Sequence, residues 1–216
     1  MQAKDALEPA ELMEKLTRLK DWRYGQGSLR AVLKCKTSEA ALSLLAAIGE
    51  LAQQANHHPD VDWRYNTLFV TLTSHDAGSR VTQRDTSLAR EISAQSVKFG
   101  ASAHPELIRT VEIAIDTAAP EEISAMWKTA LGYRELDDGS LVDPFGRGPA
   151  IWFQKTETPN PNRIHLDITV PYDQSAKTLE ALGESSANLD SQSAPQFVVA
   201  TDQQGNRLCI CTEAGR

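Results

Sequence analysis

Five histidines occur in the 216-residue sequence, and two of them, His57 and His58, stand side by side before Pro59. Imidazole is the side chain that exchanges a proton near neutral pH. A histidine group is therefore a candidate for general acid–base work or for metal ligation. The pair falls in the last turn of a helix predicted over 37–58. Unpaired carbonyls and the macrodipole there favour a cationic imidazole, which suits a general acid. Two polar residues at a helix end satisfy the same pattern without chemistry. His75 bears on that choice. In "TLFVTLTSH" (67–75), Leu68, Val70 and Leu72 share one face of a strand. Thr67, Phe69, Thr71, Thr73 and His75 share the other. His75 thus lies off the apolar face, at a strand end that can meet a helix terminus. Cysteine partners are absent from this part of the chain, which weakens a metal reading.

The elements that must position these histidines can be read from periodicity and punctuation. Residues 9–20 form a short amphipathic helix. Residues 22–36 form a hairpin, with Gly25 and Gly27 flanking its turn. The helix over 37–58 is capped by Thr37 or Ser38 and carries Ala41, Leu44, Leu45, Ile48, Leu51, Ala52 and Ala55 on one face. Pro59 stops it, because the residue before a proline disfavours the helical region. Residues 61–75 make a second strand pair turning near Asn66, and 82–99 a third helix. Gly100, the small residues after it and Pro105 break regular structure between 99 and 108, where a domain boundary is expected. Beyond it one plan occurs twice: strand and helix over 110–133 and again over 163–184, each followed by short strands (141–154 and 198–211). This is a βαβββ unit written twice. The fold class is α+β throughout.

Bulk properties narrow the function. A net charge of −7 offers no basic stripe for phosphates, so no nucleic-acid partner is expected. Cys35, Cys209 and Cys211 lack framework spacing and suggest free thiols in a reducing compartment. The first residues lack an apolar signal core, and no run is long enough to span a bilayer. A cytoplasmic location with no membrane partner follows as the expectation.

The spacing Gln53-x3-His57-His58-Pro59-x5-Tyr65-x9-His75, followed by Asp85, is similar to the pattern of pterin-4a-carbinolamine dehydratases. That family's fold sets three helices against a four-stranded antiparallel sheet, the order read above. The resemblance covers about Pro9 to Phe99 and assigns residues 1–100 to this domain. It implies dehydration of a 4a-hydroxytetrahydropterin to the quinonoid dihydropterin, without metal or other cofactor. Carried over by position, His57, His58 and His75 are the catalytic acid–base group. Gln53, Pro59, Ser74, Asp76 and Asp85 line the substrate site. Two departures stand out. The family usually has an acidic residue at position 53, where Gln53 adds no negative charge beside His57. The loop before Asp85 is one residue longer than usual, so Asp85 reads equally as charge on the third helix N-terminus.

"SAMWKTALGY", "IWFQ", "NRIHLDI" and "QQGNRLCIC" make residues 106–216 resemble a glyoxalase/vicinal-oxygen-chelate domain. That family often holds a divalent ion with one residue from each of four strands. Alternation gives Glu112, Gln154, His165 and Cys209 as the set here, facing a cup with Trp152 and Cys211 nearby. Hard and soft donors mix in that set, which matches no common metal. A metal-free cup that binds a small organic molecule or serves as an interface is expected. The whole chain then reads as a two-domain dehydratase of a small-molecule pterin. A non-catalytic ligand-binding or interaction protein stays open, as does an enzyme acting through its second domain. Both resembled families often assemble, so homo-oligomers are compatible with the reading.

Overall fold

A computed structural model of the chain describes residues 6–159, 162–203 and 205–214. The outermost residues of both expected domains, 1–5 and 215–216, lie outside that description. The chain divides into two compact units, Met1–Ile108 and Arg109–Arg216.

The first unit runs α1 (Pro9–Leu16), β1 (Arg23–Gly25), β2 (Ser28–Lys34), α2 (Ser38–Ala55), β3 (Asp60–Arg64), β4 (Thr67–Leu72), α3 (Gln83–Lys98) and β5 (Ser102–Ala103). Its antiparallel strands are ordered β1-β2-β4-β3, with β5 paired to β2. Alternation works as read. Leu68, Val70 and Leu72 are buried together with Leu29, Ala31 and Leu33 of β2. They share one core with Leu12 of α1, Ala41, Leu44 and Ile48 of α2, and Leu88, Ala89 and Ile92 of α3. All three helices therefore cover the same face of the sheet.

Three local outcomes differ from the sequence reading. The segment expected to be irregular, 99–108, contributes β5 and a 3-10 turn at Pro105–Leu107. Small residues there fit beside β2, where Ala103 faces Leu33. The second helix stops at Ala55, short of the histidines. Asn56 takes the left-handed conformation (φ 45°), its N–H reaches Gln53 O at 3.2 Å, and His57 N–H reaches Ala52 O at 3.1 Å. That is a Schellman ending, with asparagine tolerating the left-handed turn. The last strand stops at Leu72, and His75 opens a 3-10 turn, His75–Ala77.

The second unit runs β6 (Thr110–Thr117), α4 (Pro120–Leu131), β7 (Arg134–Glu135), β8 (Leu141–Val142), β9 (Ala150–Lys155), β10 (Ile164–Thr169), α5 (Tyr172–Glu184), β11 (Asn188–Asp190), β12 (Phe197–Thr201) and β13 (Arg207–Cys211). This is the doubled βαβββ plan. Eight strands form one sheet, β11-β12-β13-β10-β6-β9-β8-β7. The modules join through antiparallel β6 and β10, and each first strand pairs in parallel with its module's last. The closing turns are alike too. Asp143 accepts the N–H groups of Phe145, Arg147 and Gly148 at 2.8–3.0 Å, and Asp202 accepts that of Asn206 at 2.9 Å. Ile113 and Ile115 of β6 pack with Ile123 and Trp127 of α4. The alternate residues Glu112, Ala114 and Asp116 face away from that helix.

Gly27 ties the first hairpin to the loop that carries His75. Gln26 and Gly27 both have positive φ (51° and 71°), as a two-residue hairpin turn requires. Thr73 Oγ1 donates to Gly27 O at 3.0 Å, and a Cβ on Gly27 would lie 2.5 Å from Ser79 O. Gly78 shares the left-handed φ but has open space around it. Gly78→Ala should therefore cost about 1 kcal/mol from backbone strain alone. Gly27→Ala should cost more, because the loop must also move. Urea denaturation of both variants checks the order.

Candidate active site

The first candidate site is built where the end of α2, the loop after β4 and the start of α3 meet. The Schellman turn swings His57 off the helix and buries it, leaving 7% exposed. Its Nε2 lies 2.7 Å from Asp85 Oδ1, and Asp85 is 0% exposed. The other carboxylate oxygen accepts from Ser74 Oγ (2.8 Å), Thr82 N (2.7 Å) and Thr82 Oγ1 (3.0 Å). Thr82 and Asp85 form a capping box on α3. Asp85 thus faces two ways: one oxygen closes the helix end and the other meets His57. The loop before Asp85 is closed by a bridge between Ser74 and Arg80 and by the turns between them.

Asp85 acts as the acceptor in its bonds to Ser74 and Thr82. With Asp85 ionised, the His57 contact is a donation from Nε2–H, and Nδ1 is then the nitrogen that can exchange a proton. His58 follows His57 in the chain and His75 follows Ser74. Both are therefore one Cα step, about 3.8 Å, from a member of the buried network. Both are exposed to solvent.

The remaining expected residues divide. Ser74 joins the network. Pro59 is half-buried beside His58. Asp76 is exposed and pairs with Arg84, whose hydrogen bond holds its carboxyl below the usual carboxylate range. Gln53 is exposed on α2. The helical i,i+4 relation expected between Gln53 and His57 is broken, because α2 ends at Ala55. Sequence reasoning missed Thr82, although "TQRD" carries the Thr-x-x-acid signature of a capping box. It also missed the His57–Asp85 bond, which joins residues 28 positions apart.

In the second unit the four-strand set does not converge. Registers pair Glu112 with Ala150 and Asp116 with Gln154. Gln154 lies four residues along the strands from the Glu112 row, about 13 Å at strand rise. These residues do not fit a metal site drawing one ligand from each strand. Another group does come together: His165, Asp167 and Cys209 have ligand atoms within 4.8 Å of one another. Asp167 lies directly opposite Cys209 in the ladder. Trp152 donates its indole N–H to Asp167 Oδ2 at 3.0 Å. Burial first, and then the charge of Asp167, pushes the Cys209 thiol up to about 12.

Both units resemble known families. Residues 5–95 match the model of the pterin 4 alpha carbinolamine dehydratase family. A Chloroflexus aurantiacus protein named "Putative pterin-4-alpha-carbinolamine dehydratase" is 36% identical over 86 residues, 40% of this chain and 91% of its own length. A protein of the same name from Acidobacterium capsulatum is also 36% identical, over 41% of this chain and 95% of its own. The chain belongs to the pterin-4-alpha-carbinolamine dehydratase family. A solved Brucella melitensis structure described as a transcriptional coactivator/pterin dehydratase is 29% identical, covering 42% of this chain and 98% of its own, with a TM-score of 0.41. Residues 112–211 match a glyoxalase-like domain, so this dehydratase-family member carries a fused second module. Among the described residues, no helix is long and apolar enough to cross a membrane.

Removing the Asp85 charge should unsettle this family member's site and fold together. Asp85→Asn turns one buried acceptor into a donor facing other donors, which should cost about 1–3 kcal/mol. Ser74→Ala removes a single hydroxyl and should cost about 0.5–1.5 kcal/mol. Chemical denaturation of the two variants measures the difference.

Proposed function

We propose that the first unit dehydrates a pterin 4a-carbinolamine to the quinonoid dihydropterin. The observation that supports this most is the buried Asp85–His57 bond with His58 and His75 beside it. The reaction needs a proton delivered to the 4a-hydroxyl and another removed from a ring N–H. The C–O bond breaks with its electrons leaving on oxygen, water departs, and the N–H electrons close the C=N bond. Two imidazoles exchanging a proton suffice, and the step calls on no metal. His57, fixed through Nε2 by Asp85, presents Nδ1 for one transfer. His58 and His75 are accessible to a substrate and supply the other. Positioned proton transfer of this kind contributes about 10²–10⁴-fold each. Ser74 is a positioning residue through Asp85, and Pro59 and Asp76 border the same loop. The names of the relatives support the substrate class.

Gln53 sits where the family usually has an acid, and it lies off the His57 contact. A carboxylate at this exposed position would add charge near the site without replacing Asp85. Gln53→Glu should therefore change the rate less than His57→Ala does.

The test is turnover of carbinolamine generated enzymically by an aromatic amino-acid hydroxylase. The wild-type chain should accelerate water loss over background, and His75→Ala should lower kcat by about 10²-fold or more with the fold intact. A folded wild-type protein giving no rate above background would remove the dehydratase reading and leave a binding function for the retained fold.

A further inference from the structure

We infer that His165, Asp167 and Cys209 form a three-ligand site for a zinc-class divalent ion, built within the second module alone. It is independent of the dehydratase site, which lies in the other unit.

The placement follows from the ladder. His165 and Asp167 are two residues apart on β10 and so share a face. Cys209 lies on the parallel neighbour β13, in register with Asp167. Two ligands thus come from one strand and one from the next, unlike a set with one ligand from each of four strands. Asp167 changes the donor chemistry. An imidazole, a carboxylate and a thiolate suit zinc or cobalt far better than magnesium or calcium, which take oxygen donors.

The site also has the support that a metal ligand needs. Asp167 is 5% exposed, and its Oδ1 makes no hydrogen bond. That oxygen lies 3.6 Å from His165 Nε2. The second oxygen is held by the Trp152 indole, which fixes the carboxylate plane. An outer partner of this kind is what orients ligating carboxylates. The ring of Trp152 stands edge-on to His165, with centroids 6.4 Å apart and planes at 89°. The three donor atoms lie within 4.8 Å of one another. Tetrahedral bonds of about 2.0–2.3 Å place ligand atoms about 3.5 Å apart, so side-chain rotations closing roughly 1 Å complete the site. His165 and Cys209 are half-buried, with room to make that adjustment. On binding, the Cys209 thiol releases its proton to solvent and the sulfur bonds the ion. Three protein ligands leave the fourth position open, the arrangement of a reactive rather than a purely structural ion.

The experiment uses the full-length protein stripped with a chelator, then titrated with Co2+ in an absorption spectrometer and with Zn2+ in a calorimeter. One equivalent of Co2+ should produce a tetrahedral visible spectrum together with a sulfur-to-cobalt charge-transfer band. Zn2+ should displace the cobalt. Cys209→Ser should abolish the charge-transfer band, and Asp167→Asn and His165→Ala should each weaken binding at least tenfold. Trp152→Phe, a milder change outside the ligand set, should weaken it about 10–100-fold. Circular dichroism confirms that each variant is folded. A cobalt spectrum without a thiolate band would overturn the inference, and so would a band that survives Cys209→Ser, since the first unit holds histidines and the free thiol of Cys35. Binding unaffected by Cys209→Ser and Asp167→Asn would overturn it equally.

Discussion

A carboxylate sealed from water holds the first unit's site together. Leaving a buried carboxylate unpaired is costly, and Asp85 is 0% exposed. Donors from three places meet that demand: His57 from beyond α2, Ser74 from the loop after β4, and Thr82 at the start of α3. None of these segments is regular where it contributes its donor. The left-handed Asn56, the 3-10 turn at His75 and the capping box of α3 are the conformations that let the three meet. The same network leaves His58 and His75 at its margin, where a substrate can reach them. On the proposed function, stability and chemistry are coupled here because a single residue serves both.

How much of this the sequence discloses depends on range. Strand alternation and helix periodicity locate the core: Leu68, Val70 and Leu72 lie on the buried face, and the helix over Ala41, Leu44 and Ile48 packs against it. The doubled βαβββ plan is equally visible, since repeated order needs no long-range contact. Local endings are less legible. The helix stops two residues before His57 because Asn56 adopts a left-handed turn, a choice that composition alone does not force. The strand stops before His75 for a similar reason, so alternation cannot assign a face to that residue. The His57–Asp85 bond joins distant positions, and no local pattern encodes it. Gln53 is not one helical turn from His57, because α2 ends at Ala55.

The second unit teaches the complementary lesson about register. Alternation correctly sets Glu112, Gln154, His165 and Cys209 on the face away from α4, but a shared face is not a shared site. The ladder sets Gln154 four residues along from the row of Glu112 and Cys209 and two from that of His165, while putting Asp167 beside Cys209. Asp167 was visible as the partner of His165 on that face. Its importance appears only once parallel pairing of β10 with β13 is known.

The central claim is that Asp85 fixes His57 through Nε2 so that the histidines beside it can serve a pterin. Nitrogen-correlated proton spectra of the five histidine rings, with and without dihydropterin, test it most directly. The account predicts a proton on His57 Nε2. It also predicts that dihydropterin shifts His57 Nδ1 and the rings of His58 and His75, while His104 and His165 stay still. A His57 ring protonated on Nδ1 with Nε2 bare, or rings of His57, His58 and His75 unmoved at saturating dihydropterin, would contradict it.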